Sequence, residues 1–563
     1  MQQNIYSWRF YFVVVVLFIM VSGLVYRLAQ LTVYERSFLQ DQSNARSMRV
    51  VDVPVSRGMV FDRNGFPLAA STMLKSLWVD PSEVDLEAML TSDLSEMIGV
   101  KKELLSSKVK ANSNKEFVYL KRHMDPDVEA PIRKLGLAGL GLQKEYKRYY
   151  PDSESVAQLV GRTNIDDKGV EGIELAYDSW LRGEQGKELV TKDRLGRTIS
   201  KAETIIAAKD GNDIYLSIDK KDQAVAYEVL AKGVEESGAK SGSLVVLDAE
   251  TGEVLALTNY PSYNPNDTKN IKLEQLRNRA VTDLFEPGST VKPFSMLYAL
   301  ESGKHNIDEQ IYIGNGRLKL QGHVISDVHN RADRISLTDI LVHSSNVGIA
   351  KLILETPVSE YIARLGSFGF GESSGSGFPG EPSGTIIDGV RQGSFDQASL
   401  SYGYGTSMTL LQLARSYLNL ASCGAVRNVN LLKNEINNDN NKKDNIDSTN
   451  CKIVHNMMAK VTEPGGTGFR ASVKGYKVAG KTGTSYIASN KGYDTDRYIS
   501  TFAGFAPADN PRYVAAVVLW EPDKEHHFGG RSAAPIFAKV MQHMLVFKDN
   551  SRDVKTYSKR RYN

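Results

Sequence analysis

Between Arg9 and Arg27 the chain carries no charged residue, and the centre of that run reads Phe-Val-Val-Val-Val-Leu-Phe-Ile-Met-Val. A run of this length lies at the lower bound for crossing the hydrocarbon core of a bilayer, and 28–33 can extend it. A cleaved signal peptide is the competing reading. Val21-Ser22-Gly23 is a poor small-residue cleavage site, and the run is long for the apolar part of a leader. The sequence therefore predicts an uncleaved membrane anchor over 10–28, with 1–9 as a short tail on the far side. One arginine on each flank gives no orientation. No later segment resembles a second span, so everything beyond about residue 35 is expected to fold on one side of the membrane.

At 563 residues more than one domain is expected. A net charge of +3 is too small to argue for nucleic acid as a partner. The two cysteines, Cys423 and Cys451, exclude a disulfide scaffold and a four-cysteine zinc site. They either pair in an oxidising compartment or remain two thiols.

Residues 45–215 contain Arg57-Gly58, the turn signal Asp62-Arg63-Asn64-Gly65, Arg148-Tyr149-Tyr150-Pro151 and Gly169-Val170-Glu171-Gly172. None carries chemistry of its own, so this stretch reads as a non-catalytic module. The pattern changes near Gly211. Residues 223–236 read as an amphipathic helix. A hairpin follows at 243–248 and 253–258, with strands at 477–484, 501–506 and 513–520 and a closing helix at 534–547. That order predicts an α+β domain over 216–548, an antiparallel sheet flanked by helices with an α-helical subdomain between its strands. Residues 433–450 are Asn/Asp/Lys-rich and are expected to form a mobile surface loop. Residues 549–563 are expected to be a solvated tail.

Three short motifs follow one another inside that domain: Ser289-Thr290-Val291-Lys292, Ser344-Ser345-Asn346 and Lys481-Thr482-Gly483-Thr484. A serine hydroxyl is a poor nucleophile until a neighbouring base takes its proton. Lys292 stands three residues beyond Ser289, which is expected to open a helix after the Pro287-Gly288 turn. Lysine serves as a base only if burial or a second cation lowers its pKa, and Lys481 supplies the cation. Ser344 can pass a proton to a leaving amine, and Asn346 can hold a backbone amide. Lys481, Thr482 and Thr484 suit a substrate carboxylate. Gly483 is expected to let a peptide approach the strand, and the N–H groups of Ser289 and Thr484 to form an oxyanion hole. Ser107/Lys110 and Ser237/Lys240 repeat the first spacing, but in polar surroundings. Residues 475–482 also fit the nucleotide-binding loop expression. No apolar strand precedes them and no helix follows, so that reading fails on context.

The S-x-x-K, S-x-N, K-T-G order is the pattern of penicilloyl-serine transferases. With Lys192-Asp193-Arg194, Tyr260-Pro261-Ser262-Tyr263-Asn264-Pro265 and Ser401-Tyr402-Gly403-Tyr404-Gly405, the chain resembles the class B penicillin-binding proteins, in particular FtsI-type septal D,D-transpeptidases. The resemblance implies a penicillin-binding/β-lactamase-like transpeptidase domain on an elongated dimerisation-type pedestal. It implies an inner-membrane anchor, a periplasmic catalytic domain, stem peptides ending in D-Ala-D-Ala as substrates and β-lactams as acylating inhibitors. An FtsW-type glycosyltransferase and other divisome proteins are the implied partners. No metal or organic cofactor is implied, and no glycosyltransferase domain is expected before the pedestal. Three other readings compete. One is the same reaction in side-wall elongation. The others are a β-lactamase or β-lactam sensor, and a catalytically dispensable divisome scaffold.

Overall fold

A computed structural model describes residues 4–192, 198–267, 269–328, 333–386, 393–423, 427–433, 447–489 and 492–547. Most of the Asn-rich stretch, the 193–197 motif and the C-terminal tail lie outside the described residues. Helix α1, Asn4–Ala29, continues into a π turn at Gln30–Tyr34. Its Trp8–Tyr34 segment is the one stretch among the described residues long and apolar enough to cross a membrane. Phe12, Leu17, Phe18 and Leu24 on it are all exposed, which fits a membrane anchor rather than a helix of a soluble core.

The chain divides into two compact units, Met1–Arg57 with Thr72–Lys147 and Gly183–Gly211, and Gly58–Ser71 with Arg148–Arg182 and Asn212–Asn563. In the first unit, strands Met48–Val53, Gly186–Lys192 and Thr198–Ile206 form an antiparallel sheet. A separate core there gathers Leu77, Val79, Met89, Leu94, Leu105 and Val118.

Residues 58–71 and 148–182, placed with the pedestal on sequence, pack within the second unit. The polar motifs explain why. Asp62 is fully buried, and its carboxylate accepts the N–H groups of Asn64 (2.8 Å), Phe66 (2.8 Å) and Lys220 (3.1 Å). Arg63 pairs with Glu253 at 2.9 Å. Arg148 pairs with Glu174 at 2.7 Å, both buried. A buried charge is costly unless paired. Asp62 and Arg63 hold 58–71 to Lys220 and Glu253, and the Tyr150 N–H, donating to Asn266 Oδ1 at 3.0 Å, holds 148–182 to the later part of the chain.

The centre of the second unit is a five-stranded antiparallel sheet. Its strands are β1 (Ser241–Asp248), β2 (Val254–Tyr260), β3 (Ala479–Ser489), β4 (Gly492–Ala506) and β5 (Tyr513–Trp520), in the order β2-β1-β5-β4-β3. Side chains alternate faces along a strand. Leu244, Val246, Phe502, Val517 and Leu519 meet Leu230 and Val234 of helix α2 (Lys220–Glu236) and Ile536 and Phe537 of the closing helix Ala533–Gln542. Val245, Leu247, Ala503, Phe505 and Val518 face the opposite layer, with Phe294, Leu413 and Tyr417. Both faces are covered, so the strands read as continuous apolar runs. The closing helix ends at Gln542 and passes into a π turn, His543–Phe547, earlier than the sequence pattern suggests.

Cys423 and Cys451 form a disulfide, their Cα atoms 5.8 Å apart. It joins the end of helix Leu410–Ser422 to helix Ser448–Val461, across the Asn-rich stretch. Closing a loop of 28 residues stabilises the domain by about 3.6 kcal/mol on the chain-entropy account.

Candidate active site

Ser289 opens on a 3₁₀ turn rather than on an α-helical one. Gly288 has φ +54°, and Gly288–Val291 forms a 3₁₀ turn before helix α3, Lys292–Glu301. The Thr290 hydroxyl donates to the Pro287 carbonyl at 2.7 Å, and Pro293 fits the first turn because it has no N–H to satisfy. In a 3₁₀ turn residues i and i+3 eclipse one another. Ser289 and Lys292 therefore project together, with Oγ and Nζ 3.0 Å apart.

Ser344 lies between helix Leu337–Val342 and helix α4, Asn346–Leu354. Its φ of +59° is uncommon for a residue with a side chain, and such strain persists only where the surroundings enforce it. The turn presents three groups to Lys292. Nζ lies 2.7 Å from the Ser344 carbonyl, 3.0 Å from the Ser344 hydroxyl and 2.7 Å from Asn346 Oδ1. The third motif enters from β3: Lys481 Nζ lies 3.0 Å from Ser344 Oγ, 3.1 Å from the Thr482 carbonyl and 3.2 Å from Thr482 Oγ1. Thus Ser344 Oγ sits between two lysines that are remote in sequence.

Both amines are fully buried. Burial, then the charge of Lys481, push the Lys292 pKa well below its usual value, with Asp327 opposing. Burial lowers Lys481 to about 7. The contacts assign the protons. A neutral lysine amine offers two N–H groups and one lone pair. The Ser344 carbonyl and Asn346 Oδ1 can only accept, so they take the two N–H groups. The lone pair is left for a hydroxyl proton, from Ser289 or Ser344.

Thr482, Gly483 and Thr484 all lie on β3, where Gly483 pairs with Thr501 of β4. The glycine also meets a requirement within the chain. A Cβ there would lie 2.9 Å from the Pro287 carbonyl and 3.0 Å from Thr290 Cγ2. It is the chain's own nucleophile turn that approaches this strand, which seats Ser289 against the third motif. The Thr484 hydroxyl accepts the Gly529 N–H at 3.2 Å.

Three supporting residues had no legible signal. Asp327 grips the turn at Ser345 and Asn346. Thr467 donates its N–H to the Val342 carbonyl at 3.1 Å and places Oγ1 3.3 Å from Thr482 Oγ1. Tyr417 donates to the Thr290 carbonyl at 2.8 Å. Beside the nucleophile turn opens a cavity of about 390 Å³, lined in part by Glu286, Tyr402, Tyr404, Tyr486 and Tyr493.

Known proteins share this arrangement of segments. Residues 242–542 match the penicillin binding protein transpeptidase domain, and 52–216 match the penicillin-binding protein dimerisation domain. The chain is 38% identical over 549 residues to the peptidoglycan D,D-transpeptidase FtsI of Escherichia coli, covering 96% of this chain and 92% of that protein. It is 38% identical over 552 residues to the probable peptidoglycan D,D-transpeptidase PbpC of Pseudomonas aeruginosa, covering 97% of each. The fold is similar to that of a peptidoglycan synthetase from Bifidobacterium adolescentis, with a TM-score of 0.69, 24% identity, and coverage of 89% of this chain and 97% of that one. All three motifs fall within the matched transpeptidase segment. With a dimerisation segment ahead of it and such likeness sustained along nearly the whole length, the chain belongs to the class B penicillin-binding protein transpeptidases.

Proposed function

We propose that the protein is a membrane-anchored serine D,D-transpeptidase that cross-links peptidoglycan stem peptides at the division septum. The observation that carries the reading is the Lys292 amine. It touches Ser289 and Ser344 at once, while Lys481 reaches the same Ser344 hydroxyl.

The chemistry follows from that geometry. Lys481, with Thr482 and Thr484, holds the terminal carboxylate of a donor peptide. Ser289 Oγ attacks the carbonyl of the penultimate D-Ala, and its proton passes to Lys292. The N–H groups of Ser289 and Thr484 receive the developing oxyanion. The C–N bond breaks, and the terminal D-Ala leaves as an amine, protonated from Lys292 through Ser344. An ester on Ser289 remains. The amine of a second stem attacks it, a new amide forms, and the proton returns to Ser289 Oγ. A β-lactam enters the first half of this sequence and stops at the ester.

Two pH limbs are expected in the second-order rate of penicillin acylation. Lys292 must be neutral, so the rate rises as pH climbs through its depressed pKa. Lys481 must be charged to hold the carboxylate, so the rate falls as pH passes about 7, where Lys481 loses its proton. Lys481→Arg keeps the charge at every working pH and should remove the alkaline limb. A limb near pH 7 that survives in that variant would assign it to another group.

The anchor, the inner-membrane and periplasmic placement and the pairing with an FtsW-type glycosyltransferase belong to the same proposal. The domains assigned are a tail at 1–9, an anchor at 10–28, a pedestal at 45–215 and a transpeptidase domain at 216–548. Removing residues 1–35 should leave a soluble protein that binds penicillin at its full rate but does not restore septation to cells depleted of the whole chain. Septation by the truncated chain would overturn the anchored reading. Round rather than filamentous depleted cells would move the enzyme from division to elongation.

A further inference from the structure

Asp327 belongs to none of the three motifs, yet its carboxylate holds the second of them. Oδ2 accepts from the Ser345 hydroxyl at 2.7 Å, and Oδ1 accepts the N–H groups of Asn346 at 2.6 Å and Val347 at 3.0 Å. Those two N–H groups open helix α4. They have no intrahelical partner, and a negative charge at a helix start is stabilised by the helix dipole. The residue before Asp327 works on the same target, since the Ser326 carbonyl accepts from Asn346 Nδ2 at 3.2 Å. Strand His323–Ser326 pairs with Arg317–Leu320, and the Asp327 N–H donates to the Gly316 carbonyl at 2.9 Å. The grip is therefore built on a fixed hairpin.

We propose that Asp327 is a positioning residue for the acylation step. It fixes the rotation of the Ser344-Ser345-Asn346 turn in which Asn346 Oδ1 and the Ser344 carbonyl together take both Lys292 N–H groups. Asn346 Nδ2 bonded to Ser326 leaves Oδ1 as the atom that faces Lys292. A turn free to rotate would offer Nδ2 instead, a donor that would compete for the Lys292 lone pair. The strained φ of Ser344 needs such an external clamp.

The second contribution is charge. The charged groups that act on Lys292 are Lys481, from β3, and Asp327, from the loop before helix Leu337–Val342. Lys481 lowers the basicity of Lys292 and Asp327 raises it. An anion here keeps Lys292 a strong enough base while Lys481 stays protonated. The inference rests on Lys292 acting as the base for Ser289.

The test is the pH profile of second-order acylation by a fluorescent penicillin, measured on the full-length chain in detergent. Asp327→Asn keeps the shape and the acceptor oxygen but removes the charge. The rate should fall about tenfold at its optimum, and the acid limb should move to lower pH by about half a unit. Ser345→Ala loses one of the three contacts and keeps the charge. Its rate should fall with the acid limb in place. Asp327→Glu also keeps the charge and should hold the limb at its wild-type position, whatever its rate. An Asp327→Asn enzyme with the wild-type rate at every pH overturns the proposal. So does a lowered rate with an unmoved limb, which is what a purely structural residue gives. If Asp327→Asn does not fold, as judged by its thermal midpoint, a shifted limb in Asp327→Glu overturns the proposal by itself. Failure of the underlying reading is separable: Lys292→Arg would then acylate normally, whereas failure of this proposal leaves Lys292→Arg inert.

Discussion

Ser289→Ala should abolish covalent attachment of penicillin, with a loss on the order of 10⁴-fold or more in acylation rate. The result is not trivial, because two serine hydroxyls stand at 3.0 Å from the same amine. They differ in what else they touch. Ser344 Oγ also contacts Lys481 at 3.0 Å, so it lies between two amines and is suited to carry protons between them. Ser289 has a single amine partner and sits on the 3₁₀ turn that packs against Gly483 of β3. A carbonyl held by the third motif is therefore presented to Ser289. Peptide mapping of the acylated enzyme by mass spectrometry should place the adduct at Ser289. Ser344→Ala should still acquire it, about 10²-fold more slowly, the usual size of one lost general acid–base contact. An adduct on Ser344, or labelling that persists in Ser289→Ala, would sink the assignment.

The three motifs were legible because each is local: a serine and a lysine three residues apart can meet within a single turn, as Ser289 and Lys292 do. The strands of the central sheet were legible because burial on both faces makes them uninterrupted apolar runs, as at 243–248 and 513–520. What holds these pieces together was not. Asp327 is one acid among many in the sequence, and only the hairpin under it brings its carboxylate to the start of helix α4. Thr467 lies in a Gly-rich turn with no feature to separate it from a linker. That Gly483 also makes room for the Pro287–Thr290 turn could not be read from its place in the third motif. The pairing of Cys423 with Cys451 depends on two helices meeting, which spacing cannot give. The packing of 58–71 and 148–182 with later segments escaped for a similar reason. Asp62 and Tyr150 lie early in the sequence, but their partners Lys220 and Asn266 tie both segments into the second unit.

Lys292→Arg should be as damaging as loss of the nucleophile's base can be, a fall of about 10³-fold or more in acylation, although the side chain stays cationic. Arginine remains protonated throughout the working range and has no lone pair to offer. The four contacts of Lys292 Nζ leave room for one, since two of its neighbours can only accept and the other two are hydroxyls able to donate. A guanidinium is also larger than an amine, and Lys292 is fully buried, so overpacking would by itself slow the enzyme. Lys292→Met separates the two effects. It has nearly the same shape, fills the same space and adds no charge. Acylation should be lost to the same extent as in Lys292→Arg. Its thermal midpoint should not fall below that of the wild type, because a buried amine kept short of its proton contributes little to stability and an apolar chain replaces it at little cost. A Met variant that unfolds several degrees earlier would make Lys292 a structural residue first. Either variant acylating at near wild-type rate would remove Lys292 from the mechanism, and the proton of Ser289 would then need another acceptor within reach.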